Sequence, residues 1–263
     1  EYYFTLEQRK QQHNIAEDFV LRSKEEGKYR WLAGVYGFFK RERMQAPVTF
    51  GATGIQRLIL DNINNNSDDN GDLRWGDLEG NGADELLLDS QFTTHNSGVA
   101  AYHRSDLHLG RWRLSLGLRL DYEMVKMFYH TKTESCRSFF PDDSSLPPYT
   151  ISTKIDNNDL LSKGFLEFLP SFSASVDLDS AGRNMLYLSA SKGYKAGGFN
   201  TQMFSEVLQR ELKEEMGLAQ DIDVDKLCAY DPEHSYNVEL GGHFGTKDCV
   251  FTADAALFYI ECV

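Results

Sequence analysis

Long apolar runs are missing from these 263 residues: the longest clean one covers 32–39, and a membrane-spanning helix needs roughly 18 to 20 residues. Helical spanning of a membrane is therefore excluded. Proline is scarce, at 6, and glycine moderate, at 21, against 17 Phe and 13 Tyr, a balance that argues against a disordered chain. Positive charge is in deficit, with 27 Lys and Arg facing 40 Asp and Glu for a formal net charge of -13. Phosphate backbones are bound by clustered Lys and Arg, so nucleic acid is set aside as a partner.

The four cysteines, Cys136, Cys228, Cys249 and Cys262, show no CxxC spacing. Cys249 and Cys262 fall on one candidate strand, about 43 Å apart if extended, which rules out a bridge between them. Cys136 and Cys228 lie in polar, loop-like stretches; an oxidising compartment permits a bridge there, and two free thiols are the alternative. The histidines are scattered without ligand spacing, which gives metal catalysis no support. No Ser-His-Asp arrangement, phosphate-cradling loop or pair of carboxylates can be specified, and a non-enzyme is predicted with no cofactor. There is no initiator Met or signal segment before Glu1, so whatever targets the chain is expected upstream.

What the sequence does contain is alternation. Over 111–124, Trp112, Leu114, Leu116, Leu118, Leu120, Tyr122 and Met124 alternate with Arg111, Arg113, Ser115, Gly117, Arg119, Asp121 and Glu123. Strict period two makes a strand, here about 46 Å long, whereas strands of soluble domains usually run about 5 or 6 residues. A barrel strand hides only every second side chain in lipid, so low mean hydropathy is no objection to a membrane protein. Weaker alternation recurs through Tyr29, Trp31, Ala33 and Val35, through Phe168, Phe172, Ala174 and Val176, and through Val238 and Leu240. In the last strand Phe251, Ala253, Ala255, Leu257 and Tyr259 are expected to point outward. About eight strands are predicted, near 14–23, 29–44, 90–106, 110–130, 164–179, 184–198, 233–245 and 249–262.

Their connections alternate between short (24–28, 106–110, 179–183, 245–248) and long (about 45–89, 131–163 and 199–232). Bacterial barrels have short periplasmic turns and longer extracellular loops, which assigns the long segments to the cell exterior. Phe204, Val207, Leu208 and Leu212 have helical spacing, and Ile55, Leu58 and Ile59 hint at another short turn. The fold class expected is all-β: an antiparallel transmembrane β-barrel, incomplete, with long extracellular loops.

The string Gly193-Tyr194-Lys195-Ala196-Gly197-Gly198-Phe199-Asn200, after a serine-alternating strand, resembles the barrel signature of TonB-dependent outer-membrane receptors. Tyr230, Pro232, Glu233, Asn237, Glu239, Leu240 and Gly241 match the next expected block, and 255–260 resembles the family's "aaFYi" segment. Upstream, 116–123 is similar to "GLRYDyE" and 31–36 to "WlaGlYy", so the matches come in family order. The Gly-Gly-Phe-Asn form is more similar to receptors for iron carriers than to the glycan-importing branch. The resemblance implies a Gram-negative outer-membrane protein in lipid, an iron-siderophore complex or other small nutrient as cargo, and TonB as partner through an N-terminal region missing here. The plug domain is also missing, and roughly eight strands fall short of about 22 for such transporters. The chain therefore reads as residues 1–263 of a partial barrel domain, a piece of a longer protein.

Candidate residues follow. Lys195, Phe199 and Asn200 are candidates for ligand contact, while Gly193, Gly197 and Gly198 suit strand bending or close packing. Arg111, Arg113, Arg119, Asp121, Glu123, Glu239 and His243 are expected to face the lumen, lining a passage or pairing with one another and the plug. Asp68, Asn70, Asp72 and Asp77 are spaced like calcium-loop ligands, though Asp77 stands where a bidentate Glu belongs, and a solvated acidic loop is the alternative. Trp75, Phe139, Phe140 and Tyr149 would serve a glycan importer as aromatic platforms. A secreted β-sandwich binding module is the remaining alternative, and it predicts expression without detergent.

Overall fold

A computed structural model describes all residues except 1, 25, 62–63, 65–70, 80–83, 144, 202–227 and 247–249. The strands are β1 (Phe4–Leu6), β2 (Arg9–Arg22), β3 (Tyr29–Gln45), β4 (Val48–Gly51), β5 (Gly71–Trp75), β6 (Glu85–Leu109), β7 (Trp112–Pro141), β8 (Tyr149–Asp177), β9 (Met185–Lys195), β10 (Gly198–Phe199), β11 (Ala229–Tyr230), β12 (Glu233–Gly245) and β13 (Thr252–Cys262). Eight of them stand side by side, all antiparallel, in the order β2-β3-β6-β7-β8-β9-β12-β13. These are the eight that the alternation predicts. Within the described residues β2 pairs only with β3 and β13 only with β12, so the wall does not close into a barrel.

Period-two patterning gives the wall two unlike faces. Directly opposed residues share a face, so Val35, Ala101, Leu120 and Phe168 form one row, and the exposed outer stripe continues through Leu116 and Leu118. The other face, here called inner, carries Met44, Phe92, Met127 and Tyr129, all buried. In the last strand Ala255, Leu257 and Tyr259 lie opposite Gly242, Leu240 and Val238, which places them on the outer face as expected. Three short turns hold a glycine at positive φ, namely Gly27, Gly110 and Gly182. The two-residue turn Gly110-Arg111 needs it most, because such turns require a left-handed residue. Arg111 thus lies in the turn and not in the strand, and its carbonyl accepts the Asp177 N–H at 2.9 Å.

The expected loop over 131–163 is corrected. β7 runs on to Pro141, β8 starts at Tyr149, and register holds unbroken from Trp112↔Val176 to Phe139↔Tyr149. Past Met127 the outer face turns polar, with His130, Lys132 and Glu134, while the inner face buries the small polar Thr131, Thr133 and Ser135. Neither face keeps an apolar stripe, although the backbone ladder continues. Two short strands also occupy the expected loop over 45–89: β4 pairs Glu85–Leu88 of β6, and β5 pairs Arg137–Pro141 of β7. β1 extends β4.

Between β4 and β5 the chain makes a helical turn, Ala52–Gly54, continued by a π-helix, Ile55–Leu60. Ile55, Ile59 and Leu60 seal a cluster with Phe50, Leu73, Leu86, Leu88 and Ile155 on the inner face at the long-loop end. Leu58, by contrast, is exposed. The helical spacing noted for Phe204–Leu212 lies outside the described residues.

Candidate functional site

The inner face is polar along its short-turn half, and its charges are held by one another. Arg113 donates to Asp177 at 2.6 Å, and Arg104 pairs with Asp106 at 2.9 Å while Ser115 donates to the same carboxylate. Arg119 pairs with buried Asp121 at 2.8 Å and lies over the rings of Tyr36 and Tyr102, with centroids 5.6 and 5.7 Å away. Glu123 accepts the Tyr194 hydroxyl, Glu239 accepts that of Tyr187, and His243 meets Asp254. On this face Arg104–Asp106 and Arg119–Asp121 pair within one strand, whereas Arg113–Asp177, Tyr194–Glu123, Tyr187–Glu239 and His243–Asp254 tie one strand to another. Arg30 belongs to the same cleft, with Arg104, His108 and Tyr187, and nothing in its local sequence marks it.

A seam divides β8 from β9. Their ladder stops at Ser171↔Ser191, beside Pro170, which has no N–H to carry it further. Beyond the seam, side chains take over: Glu167 accepts from Lys192 at 2.9 Å and lies 2.9 Å from His234 Nε2, and Tyr194 reaches past β8 to Glu123 at 2.7 Å. Sequence patterning missed Glu167, and only the proline hinted at the seam.

The Gly193–Asn200 signature builds a clip at this end of the inner wall. β10 and β11 pair through Gly198↔Tyr230 and Phe199↔Ala229, and Asn200 N–H donates to the Cys228 carbonyl at 2.8 Å. Lys163 holds the clip to the wall through Asp231 at 2.7 Å. Close packing is what the glycines permit: a Cβ on Gly197 would stand 2.4 Å from the Tyr230 carbonyl oxygen and 2.9 Å from the Phe165 ring. Phe199 packs on the cluster of Met44, Phe92, Met127, Tyr129, Leu161 and Cys228. Lys195 faces Glu233 at 3.5 Å, both largely exposed, and Asn200 is exposed beside them. The clip therefore brings Lys195, Phe199 and Asn200 together at the long-loop end of the wall.

Of the other candidates, Asp68 and Asn70 lie outside the described residues, Asp72 stands in extended β5, and Asp77 accepts the Glu79 N–H at 3.0 Å. Among the described residues no three His, Cys, Asp or Glu side chains gather in a way that would hold a metal ion. Trp75 and Phe139 pack against the buried helical cluster, Phe140 lies under Arg74 at 4.3 Å, and Tyr149 tilts against Phe139 at 5.5 Å. Cys136, on β7 opposite Ser152, is a free thiol and is not bridged to Cys228.

The family model described as TonB dependent receptor-like, beta-barrel matches residues 3–261. The ferric yersiniabactin uptake receptor FyuA from Yersinia pestis superposes with a TM-score of 0.60 at 17% identity, over 100% of this chain and 30% of that one. The siderophore receptor PiuA from Acinetobacter baumannii matches 95% of this chain and 40% of its own, at 10% identity and a TM-score of 0.27. No curated protein matches. This chain spans about a third of the length of the solved receptor it superposes on. Its eight-strand antiparallel wall, apolar outside and ion-paired inside, and the match across residues 3–261 agree: the chain belongs to the TonB-dependent receptor family, as part of the β-barrel by which these proteins sit in the outer membrane of Gram-negative bacteria.

Proposed function

We propose that the chain is the ligand-facing part of an uptake receptor whose cargo is an iron-siderophore complex. The observation that carries this reading is the clip: the signature glycines set Lys195, Phe199 and Asn200 at the long-loop end of the inner face, above the paired charges. That end is the outward one by the rule that outer-membrane barrels turn tightly on the periplasmic side. FyuA, which shares the wall's architecture, is by its name an uptake receptor for ferric yersiniabactin. An anionic iron chelate with an apolar rim would meet a cation and a ring edge here, and no bond of the cargo need be made or broken. Import would draw on TonB, engaged through a segment beyond this chain. The packing of Trp75 and Phe139 into a core weakens the glycan reading, since neither offers an open platform.

The test is growth of an iron-limited receptor-deletion strain complemented with the full-length gene, supplied in turn with ferric siderophores and with oligosaccharides. Growth on a ferric siderophore that falls at least tenfold in efficiency with Lys195→Ala, at unchanged receptor level, is the expected result. Growth on an oligosaccharide alone would overturn the cargo, and equal growth with Lys195→Ala would remove that residue from the contact.

A further inference from the structure

The outer face changes character along a single row. On β3 the apolar stripe ends at Phe39 and is followed by Arg41; on β7 it is interrupted after Met124 by Lys126, with Phe128 above; on β6, His95 lies directly opposite Arg41 and Lys126. Opposed residues have Cβ atoms about 5 Å apart, so Arg41, His95 and Lys126 form one row across three strands, with positive charge on Arg41 and Lys126 and an imidazole between them. Arg43 stands one step above it, and the rings of Phe39 and Phe128 flank His95 with centroids 5.7 Å away. From the row of Phe39 to that of Gln45, the outer faces of β2, β3, β6, β7 and β8 carry no carboxylate.

This absence is local, because the chain as a whole has 40 acidic against 27 basic residues. Alternate residues of β3 show the contrast. Lys40 and Lys10, on the inner face, both reach Glu42, at 3.5 and 2.8 Å, whereas Arg41 and Arg43 on the outer face have no ion pair among the described residues. The Nε of Arg41 is shielded from solvent and meets no hydrogen-bond acceptor there. The Arg41 side chain as a whole is partly exposed, so an anion at the outer surface can meet the remaining N–H groups of its guanidinium.

Height identifies the anion. The outer apolar stripe of β7 from Trp112 to Met124 spans about 40 Å along the strand, or about 30 Å of membrane thickness at a tilt of about 40°. Lys126 and its row therefore stand where lipid headgroups lie, with acyl chains against Val99 and Tyr122 below. We propose that Arg41, Arg43, His95 and Lys126 form a binding site for the phosphate-bearing headgroup of an outer-leaflet lipid. Guanidinium forks suit phosphate oxygens, and Phe39, one step below the row, presents an apolar edge to the chains beneath.

The test takes the full-length receptor, extracted from outer membranes in mild detergent, and counts retained phosphorylated lipid by native mass spectrometry. The Arg41→Ala/Arg43→Ala/Lys126→Ala variant should retain on the order of a hundredfold less, as three basic groups leave an anionic surface. Lys154→Ala, which removes an outer-face lysine already paired with Glu134, should retain as much as the parent. Arg41→Lys/Arg43→Lys keeps the charge and should retain most of the lipid, which separates loss of charge from loss of fold; heat-modifiable migration checks each barrel. Equal retention by the triple-alanine variant overturns the site. Displacement of lipid by millimolar inorganic phosphate, or equal retention of a dephosphorylated lipid, overturns the assignment to a lipid phosphate.

Discussion

Tyr194 donates its hydroxyl to the Glu123 carboxylate over 2.7 Å, and the bond passes across β8 to join β9 with β7. It lies beyond the point where the β8-β9 ladder stops, so a side chain continues what the backbone gives up. Replacing Tyr194 by Phe leaves the partly buried carboxylate short of a donor and should cost about 1 to 2 kcal/mol. Thermal unfolding of the full-length protein in detergent measures this. An unchanged midpoint would show that Lys192 and His234 on Glu167 hold the seam without it.

Leu118 and Arg119 are neighbours in sequence that meet opposite solvents. Leu118 is exposed on the outer face, opposite His103 and Pro170, whereas Arg119 is turned inward onto Asp121. Leu118→Arg should destabilise the barrel in lipid by about 2 to 4 kcal/mol, the cost of a cation facing hydrocarbon. The readout is the fraction of protein that folds into vesicles; folding at the parental level would place this row outside the lipid band.

Gly197→Ala tests the clip. Its Cβ would press on the Tyr230 carbonyl and the Phe165 ring, neither of which is the free end of a flexible chain. Overpacking of this kind costs about 1 to 3 kcal/mol and should part β10 from β11. Faster amide exchange at Asn200, whose N–H is bonded to Cys228 O, is the expected signature, with little change at β12.

The turn between β8 and β9 should loosen in acid. Asp179 accepts from Arg183 Nε at 2.9 Å and from the backbone N–H groups of Arg183 and Asn184 at 2.8 and 3.2 Å. The Arg183 hydrogen bond, first among these, holds the carboxyl below its ordinary value of 3.8. A depressed carboxyl stabilises the folded form above that value, and the contribution disappears as pH falls through the folded pKa. Protection of the Arg183 and Asn184 amides should therefore be flat from pH 7 to about 5 and decline below about 4. In Asp179→Asn the decline should vanish, and a decline that persists there would assign it to another group.

The wall was legible in the sequence wherever its two faces meet different solvents. Trp112 through Met124 alternate against Arg113 through Glu123 because one set faces lipid and the other water, and chemistry writes that contrast into every second residue. Past Met127 the contrast fades. Lys132 and Glu134 face water, Thr131 and Thr133 pack as small polar groups, and a strand of this kind reads like a loop although its hydrogen bonds are intact. The lumen charges could be assigned a face by parity, but their partners could not: Arg113 meets Asp177 and Glu123 meets Tyr194 only through register between strands far apart in sequence. Glu167 carried no signal at all, since its role depends on the place where Pro170 ends a ladder.

The continuation of β7 and β8 far beyond the lipid band bears on how such a receptor can diversify. The entrance above the membrane is framed by paired backbone from Lys132↔Asp156 to Phe139↔Tyr149, whose geometry does not depend on which side chains it carries. Substitutions at exposed positions of the hairpin tip, such as Leu146 and Tyr149, can then alter the surface of the entrance while its outline persists. Evolution is thereby given a fixed frame on which to exchange specificity one residue at a time.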